Sequence, residues 1–277
     1  MAENSKIAWT KATWNPFIGC EKVSKGCKYC YAERFVEGRF GRKFRDVQPT
    51  KNPTFYFPLK YSKKFDGSEP FYERLVFTCS LSDFFIAQID ELRPLLWDII
   101  RDTPNLIYQV LTKRPERIAE HLPPDWGDGY PNVWLGVTTE DQKSFDIRVP
   151  ILTSIPAKIR FLSVEPMLGP IDVNKLFVPY SPGSGDTATV SAMLKIDWAI
   201  IGGESGGPGK CRPASFEWFE NIVDSLGLLG VPVFFKQIGT VLAKQIGSRD
   251  FHGSLIEEFP ERIRVRQFPT IYEKSLL

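Results

Sequence analysis

The stretch LVFTCSL, residues 75–81, is a short and mostly apolar run. Such a run is typical of a parallel strand that is buried on both faces of its sheet. Similar runs recur along the chain, namely LIYQVLT (106–112), VWLGVT (133–138), IRFLSVE (159–165), WAIIGGE (198–204) and VPVFFKQ (231–237). This recurrence predicts one sheet built mainly from parallel strands.

Helical patterns separate most of these runs. They are IDELRPLLWDIIRD (89–102), RPERIAEHL (114–122), a weaker pattern at 141–155, and SFEWFENIVDSLG (215–227). Alternating strands and helices indicate βαβ units around a parallel sheet. With a short strand near the N-terminus, the pattern predicts an α/β fold, a full or partial (β/α) barrel of about six to seven parallel strands. A doubly wound open sheet is the alternative.

The expected barrel domain covers residues 1–240 and is interrupted by a basic and aromatic insertion at 38–74. Residues 241–277 have weaker periodicity, which predicts a C-terminal extension packed on the barrel.

The composition indicates no membrane association. No apolar run reaches the roughly 18 residues of a membrane helix, and the first residues lack the apolar core of a signal peptide. We therefore expect a cytoplasmic protein without a membrane partner. In that reducing compartment the five cysteines are not expected to form disulfide bonds. The net charge of +2 means that any nucleic-acid-binding surface must be local.

Three cysteines lie together in GCEKVSKGCKYCYA, residues 19–32, with the spacing C-x6-C-x2-C. Structural zinc takes four ligands, and a [4Fe–4S] cluster normally takes four cysteines. Three cysteines would leave one iron open to the amino and carboxylate groups of S-adenosylmethionine, and one electron would then release a 5′-deoxyadenosyl radical. Cys20, Cys27 and Cys30 are thus expected to bind a [4Fe–4S] cluster. A zinc or purely structural Fe–S site is the alternative.

Several blocks in order resemble the radical SAM superfamily, and most of all a phage- and bacteria-associated branch usually labelled a domain of unknown function. The blocks are TWNPFIGCEKVSKGCKYCYAERF, SLSDFF, LTKRPERI, WLGVTTEDQ, FLSVEPMLGPI, IIGGESGGPGKCRP and VPVFFKQIG. The resemblance implies a barrel of the radical SAM type, S-adenosylmethionine as cofactor beside the cluster, and an external electron donor.

Polar side chains follow each predicted strand, where an α/β barrel collects its chemistry. By position, the resemblance implies that Ser80, Ser82 and Asp83 meet the ammonium group of S-adenosylmethionine and that Thr138 and Glu140 meet its ribose. It also implies a hydrogen-atom donor, for which Cys211 is the candidate. The remaining candidates at the strand ends are Glu165 for the cofactor, Lys236 and Glu204 for catalysis, and Lys113, Arg114 and Gln237 for an anionic substrate. Gly202 and Gly203 are interpreted as allowing close approach of the backbone.

The insertion indicates the substrate class. Residues 38–65 contain eight lysines and arginines against one acid, interleaved with aromatic residues. Cations bind phosphates and aromatic rings stack on bases, so this mixture suits nucleic acid. The alternative is that the rings pack on the barrel while the cations stay in solvent.

The phage association of the resembled branch favours a nucleobase substrate. The expected reaction is rearrangement of a modified pyrimidine in DNA hypermodification. The alternatives are a base-lesion repair lyase, an enzyme acting on a peptide or small metabolite, or a non-enzymatic Fe–S or zinc nucleic-acid-binding protein.

Overall fold

A computed structural model of the chain describes residues 3–175, 177–180, 188–191 and 195–270. The strands are β1 (Ala12–Trp14), β2 (Phe17–Ile18), β3 (Gln48–Pro49), β4 (Leu75–Thr78), β5 (Ile107–Thr112), β6 (Val133–Thr138), β7 (Ile159–Val164), β8 (Phe177–Tyr180), β9 (Ala188–Ser191), β10 (Trp198–Gly202) and β11 (Val233–Gln237). The α-helices are α1 (Tyr31–Phe40), α2 (Asn52–Phe55), α3 (Phe57–Tyr61), α4 (Arg93–Arg101), α5 (Gln142–Ser154), α6 (Phe216–Leu228) and α7 (Thr240–Gln245). Short 3₁₀ helices occur at Lys25–Cys27, Ser62–Lys64, Phe71–Arg74, Ala87–Ile89, Pro115–Arg117, Ala119–His121, Val173–Lys175, Ile256–Glu258 and Glu261–Ile263.

Seven strands form the main sheet, in the order β1-β4-β5-β6-β7-β10-β11. All six strands predicted from apolar runs are present, together with the short N-terminal strand β1, so the parallel α/β class is confirmed. The strand order begins at β1 and ends at β11, and within the described residues these two strands are therefore edges. The fully closed barrel among our expectations is wrong for this part of the chain. Two small antiparallel sheets pair β2 with β3 and β8 with β9.

Burial explains the continuous apolar runs. Every residue of β4, β6 and β10 is buried, so both faces of these strands lie against other parts of the protein. A strand with one face in solvent would instead alternate polar and apolar residues.

The helical predictions held for three segments of four. Helices α4, α5 and α6 lie within or beside the predicted segments. The segment 114–122 is instead two 3₁₀ turns. Its Arg117 side chain donates to the Phe85 carbonyl oxygen at 2.7 Å and to Asp90 at 2.7 Å. These tertiary contacts override the weak local helix preference.

The chain divides into two compact units, which we describe separately. The first comprises residues 1–136 and 155–158, and the second comprises residues 137–154 and 159–277. In the first unit, the core includes the aromatic contacts of Trp14 with Tyr108 and of Phe84 with Trp97. Within the described residues, no helix is both long and apolar enough to span a lipid bilayer.

In the second unit, a C-terminal segment covers the edge strand β11. The Phe235 amide donates to the Val265 carbonyl oxygen at 2.8 Å, and the Gln267 amide donates to the Val233 carbonyl oxygen at 2.8 Å. Phe268 stacks on Trp198 with ring centres 5.4 Å apart. This part of the expected C-terminal extension therefore satisfies backbone groups of β11 that would otherwise be open.

Candidate functional site

The cysteine loop begins at a glycine that no other residue could replace without strain. Gly19 has φ +113°, and a Cβ there would lie 2.7 Å from the Phe44 carbonyl oxygen. The same carbonyl accepts a hydrogen bond from the Cys20 amide at 2.8 Å, while the Ser82 hydroxyl donates to the Gly19 carbonyl oxygen at 2.7 Å. These hydrogen bonds thus fix the position of Cys20 next to the segment that follows β4.

The three cysteines of this loop form no disulfide bonds, and their side chains are partly exposed. Cys20 and Cys30 pack against one small apolar cluster of Ala32, Val36 and Phe44. Cys30 is the residue that precedes helix α1, and the Cys27 Sγ lies 3.8 Å from the Ser24 hydroxyl. Two of the three thiols, those of Cys20 and Cys30, therefore share one region of the first unit.

Arg114 connects this loop to the ends of β4 and β5. Its guanidinium contacts the Cys20 Sγ at 3.7 Å, the Asp83 carboxylate at 3.0 Å and the Glu21 carbonyl oxygen at 2.9 Å. Asp83 also accepts hydrogen bonds from the Thr112 hydroxyl at 2.7 Å and from the Lys113 amide at 3.0 Å. Both Asp83 and Arg114 are buried, so a ligand of either would have to join an existing network.

Burial raises the pKa of the Cys20 thiol to about 11. The Asp83 carboxylate adds to this rise, and the Arg114 guanidinium offsets it only in part. In the conformation described, Cys20 is therefore a neutral thiol near pH 7.

Ser80 belongs to a second group of contacts at the end of β4. The Asn15 side chain donates to the Ser80 hydroxyl at 2.9 Å and accepts from the Leu81 amide at 2.8 Å. The Tyr31 hydroxyl donates to the Ser80 carbonyl oxygen at 2.5 Å. Sequence patterns did not mark Asn15 or Tyr31, although Asn15 directly follows the short N-terminal strand β1.

In the second unit, Glu140 forms a buried ion pair with Arg148. Their side chains meet at 2.6 Å, and the same Arg148 nitrogen donates to the Thr138 carbonyl oxygen at 2.7 Å. Two of the predicted residues, Thr138 and Glu140, thus share one arginine of helix α5. Arg148 is the residue that sequence reasoning missed, since it lies within the weakest of the predicted helices.

Glu165 and Lys236 form another ion pair, with a distance of 2.9 Å between carboxylate and ammonium. Glu165 follows β7, Lys236 lies in β11, and Gly202 ends the intervening strand β10. A Cβ on Gly202 would lie 2.7 Å from the Glu165 Oε1, and one on Gly203 would lie 2.2 Å from the Ile238 carbonyl oxygen. The prediction that both glycines allow close approach is confirmed.

Glu204 is held by Arg212. Its Oε2 accepts hydrogen bonds from the Arg212 amide and Nε, each at 2.8 Å, and its Oε1 accepts from Nη2 at 2.5 Å. Gln237 donates to the Gly203 carbonyl oxygen at 2.9 Å and to the Ser205 hydroxyl at 2.6 Å. The thiol of Cys211 lies 3.5 Å from the Gly206 carbonyl oxygen. Glu204, Gln237 and Cys211 thus belong to one neighbourhood after β10, and their catalytic and substrate roles remain predictions.

The insertion combines packed rings with exposed cations. Phe44, Phe55, Phe57 and Tyr61 are buried, whereas Phe40 and Tyr56 are exposed. The alternative that the rings pack on the domain is therefore right for four of them. The exposed cations of this segment are Arg39, Lys43, Arg45, Lys51, Lys60, Lys63 and Lys64.

Within the described part of the chain, no three or more His, Cys, Asp or Glu side chains are arranged to hold a metal ion. The three thiols therefore do not form a closed ligand group in this conformation. Thiolate sulfur is nevertheless a preferred ligand of iron–sulfur clusters and of zinc. The chemical type of these three side chains therefore fits either group, although they are not arranged around one point.

Comparison with known proteins corrects the expected family. A family model described as "Protein of unknown function (DUF5131)" matches residues 4–260, and no radical SAM family matches. The identification as a member of the radical SAM superfamily is therefore wrong. No curated protein and no solved structure matches the chain. Since the matched model covers most of its length, the chain belongs to the DUF5131 family of proteins of unknown function.

Proposed function

We propose that this protein is an enzyme that binds a [4Fe–4S] cluster through Cys20, Cys27 and Cys30 and uses it for one-electron chemistry. The main support for this proposal is the cysteine loop. Its three thiols are partly exposed, those of Cys20 and Cys30 pack against one apolar cluster, and Cys20 also contacts Arg114. Three thiolates leave one iron without a protein ligand.

Two features beside the loop favour negative charge, whereas burial and the Asp83 carboxylate oppose it at Cys20 in the conformation described. Arg114 supplies a buried positive charge against Cys20, and the N-terminus of helix α1 follows Cys30 directly. A helix N-terminus and a guanidinium both stabilise negative charge, and a thiolate-bound cluster carries it. Cluster binding requires the loop to close, because the thiols are not grouped in the conformation described.

S-adenosylmethionine is the proposed co-substrate. With a cluster held by the three cysteines and one electron from an external reductase, S-adenosylmethionine would be cleaved to methionine and a 5′-deoxyadenosyl radical. Ser80 and Ser82 offer hydroxyls beside the cysteine loop, and Asp83 offers a carboxylate that Arg114 already orients. In the second unit, the pair Glu165 and Lys236 is suited to hold or move a proton. A partial barrel, a nucleobase substrate and a cytoplasmic location remain parts of this proposal.

Anaerobic purification followed by metal analysis tests the proposal. We expect about four irons and about four sulfides per chain, a brown colour, and formation of 5′-deoxyadenosine when dithionite and S-adenosylmethionine are added. The variants C20S, C27S and C30S should lose iron. The matched control C211S should retain it, because Cys211 lies outside the loop.

A second candidate is a zinc-dependent nucleic-acid-binding protein without catalytic activity. The exposed cations of the insertion favour it. One zinc per chain, no iron after anaerobic reconstitution, and no 5′-deoxyadenosine would support this candidate and refute the enzyme.

A further inference from the structure

Helix α1 presents aromatic rings to solvent. Tyr31, Phe35 and Phe40 are 52%, 43% and 47% exposed, while Ala32 and Val36 face the apolar core. Tyr31, Phe35 and Arg39 are spaced four residues apart, so they lie along one face of the helix. Three large rings exposed on a single ten-residue helix are unusual, because such rings normally contribute to the core.

The rings are ordered by their neighbours. The Arg39 guanidinium lies 5.8 Å from the centre of the Phe35 ring, and the Phe40 ring meets Phe35 edge to face at 5.7 Å. The Tyr31 hydroxyl is anchored on the Ser80 carbonyl oxygen. These contacts hold the rings in place, while about half of each residue's surface remains exposed.

The same region concentrates positive charge. Residues 21–46 contain eight lysines and arginines and four acids, a net charge of +4, whereas the whole chain has a net charge of +2. Three of the four acids are engaged: Glu33 pairs with Lys22 at 2.7 Å, Glu37 accepts a hydrogen bond from the Phe44 amide, and Glu21 accepts one from the Gln88 side chain. Arg39, Lys43 and Arg45 are exposed. The surface is therefore locally basic on a nearly neutral protein.

We infer that this α1 face, defined by Tyr31, Phe35, Arg39, Phe40, Lys43 and Arg45, binds single-stranded nucleic acid. Exposed rings stack on unpaired bases, and nearby cations bind the phosphates between them. Bases within a duplex are already stacked, so they cannot use such a platform. An acidic peptide would use the cations but would leave the rings without a matching flat partner. Helix α1 begins immediately after Cys30, so this face lies beside the cysteine loop. Its use as a substrate surface of the proposed enzyme rests on the proposed function.

Fluorescence anisotropy with a labelled 15-nucleotide single strand of mixed sequence tests the inference. The double variant F35A/F40A should bind about tenfold or more weakly, as expected for lost base stacking. The triple variant R39A/K43A/R45A should reduce the slope of log affinity against log salt by about 2. Matched controls are F251A, which removes another exposed ring, and K143A/K158A/K244A, which removes three exposed charges elsewhere. Both controls should bind like the wild type.

Three outcomes would overturn the inference. They are unchanged affinity in both α1 variants, equal affinity for the duplex of the same sequence, and displacement of the strand by polyglutamate at equal charge concentration. The iron content of every variant is measured in parallel. Unchanged strand binding in variants that keep iron refutes the α1 face and leaves the cluster proposal intact. A wild-type protein that binds the strand through this face but never binds iron supports the face and refutes the cluster.

Discussion

At the scale of single residues, Gly202 allows the Glu165 carboxylate to lie directly against strand β10. A methyl group there would stand 2.7 Å from the Glu165 Oε1 and 3.4 Å from the Gln237 Cγ. We therefore expect G202A to displace Glu165, open its ion pair with Lys236 and lower the free energy of unfolding by about 1–3 kcal/mol. Urea denaturation measures the change.

The matched control is G169A, because a Cβ at Gly169 meets no atom within 4 Å. Its free energy of unfolding should stay within about 0.5 kcal/mol of the wild type. If contact with Glu165 is the cause, G202A should lower the free energy of unfolding by a smaller amount in a protein that already carries E165A. An equal cost in both backgrounds would contradict the explanation.

Asp90 provides a prediction about pH. Burial raises the pKa of its carboxyl, but hydrogen bonds from Arg117 and Arg93 outweigh this effect and lower the pKa to about 2. A depressed pKa in the folded state adds stability that is present above the unfolded pKa of about 4 and is lost as the pH falls toward 2. D90N should therefore be less stable than the wild type at pH 6 and should show a weaker loss of stability between pH 4 and pH 2.

Urea midpoints across this range measure the effect of D90N. Replacing the exposed Asp128 by asparagine serves as the control, and the pH dependence of that variant should match that of the wild type. Parallel curves for D90N and the wild type would show that Asp90 does not carry the predicted dependence.

Much of the site could not be predicted at this scale, because partners lie far apart in sequence. Ser80 and Asp83 were marked by their position after a strand, but Asn15 and Arg114 reach them from 65 and 31 residues away. Arg148 lies inside a helix that the pattern barely indicated, and it pairs with a residue before that helix. Position along a strand shows where polar groups collect, whereas their pairing depends on tertiary packing.

At the scale of elements, the apolar runs predicted the main strands well, because burial on both faces leaves a continuous signal. The predicted run 133–138 coincides with β6, and 159–165 differs from β7 by one residue. The segment 114–122 failed as a helix because side-chain contacts of Arg117 determine its path. Pairing of residues 265–267 with β11 gave no sequence signal, since one short bridge has no periodicity.

This C-terminal pairing leads to a prediction for the edge of the sheet. A chain that ends at Arg264 would lose the partner of the Phe235 amide and the stacking of Phe268 on Trp198. An uncovered edge strand offers open backbone groups to another chain. We therefore expect a lower melting temperature and concentration-dependent oligomers, measured by light scattering after gel filtration. A chain that ends at Thr270 keeps the pairing and should behave like the wild type, and a monomeric, fully stable shorter chain would contradict the role of the segment.

At the scale of the whole molecule, the sequence predicted the class of the fold but not the conformation of the cysteine loop. The spacing C-x6-C-x2-C indicates which thiols are available, whereas their arrangement depends on Gly19, Phe44 and Arg114. The described loop is not closed around a metal. Sequence spacing thus indicates the possible ligands and the described conformation gives their positions, and a measurement of the loop with and without iron connects the two.

Hydrogen exchange across the whole chain makes that connection. Amides of β4 and β5 in the first unit, and of β7 and β10 in the second, should exchange slowly because these strands are buried and paired on both sides. Apart from the Cys20 amide, which donates to the Phe44 carbonyl oxygen, amides of residues 20–30 should exchange quickly, since this loop has few backbone hydrogen bonds beyond its 3₁₀ turn. Anaerobic reconstitution with iron and sulfide should slow exchange in residues 20–30 and leave the strands unchanged, because ligation by three thiols orders the loop. A variant with serine at Cys20, Cys27 and Cys30, treated identically, should show no slowing. If the loop slows equally in that variant, or stays fast while iron is bound, the three thiols are not the ligands.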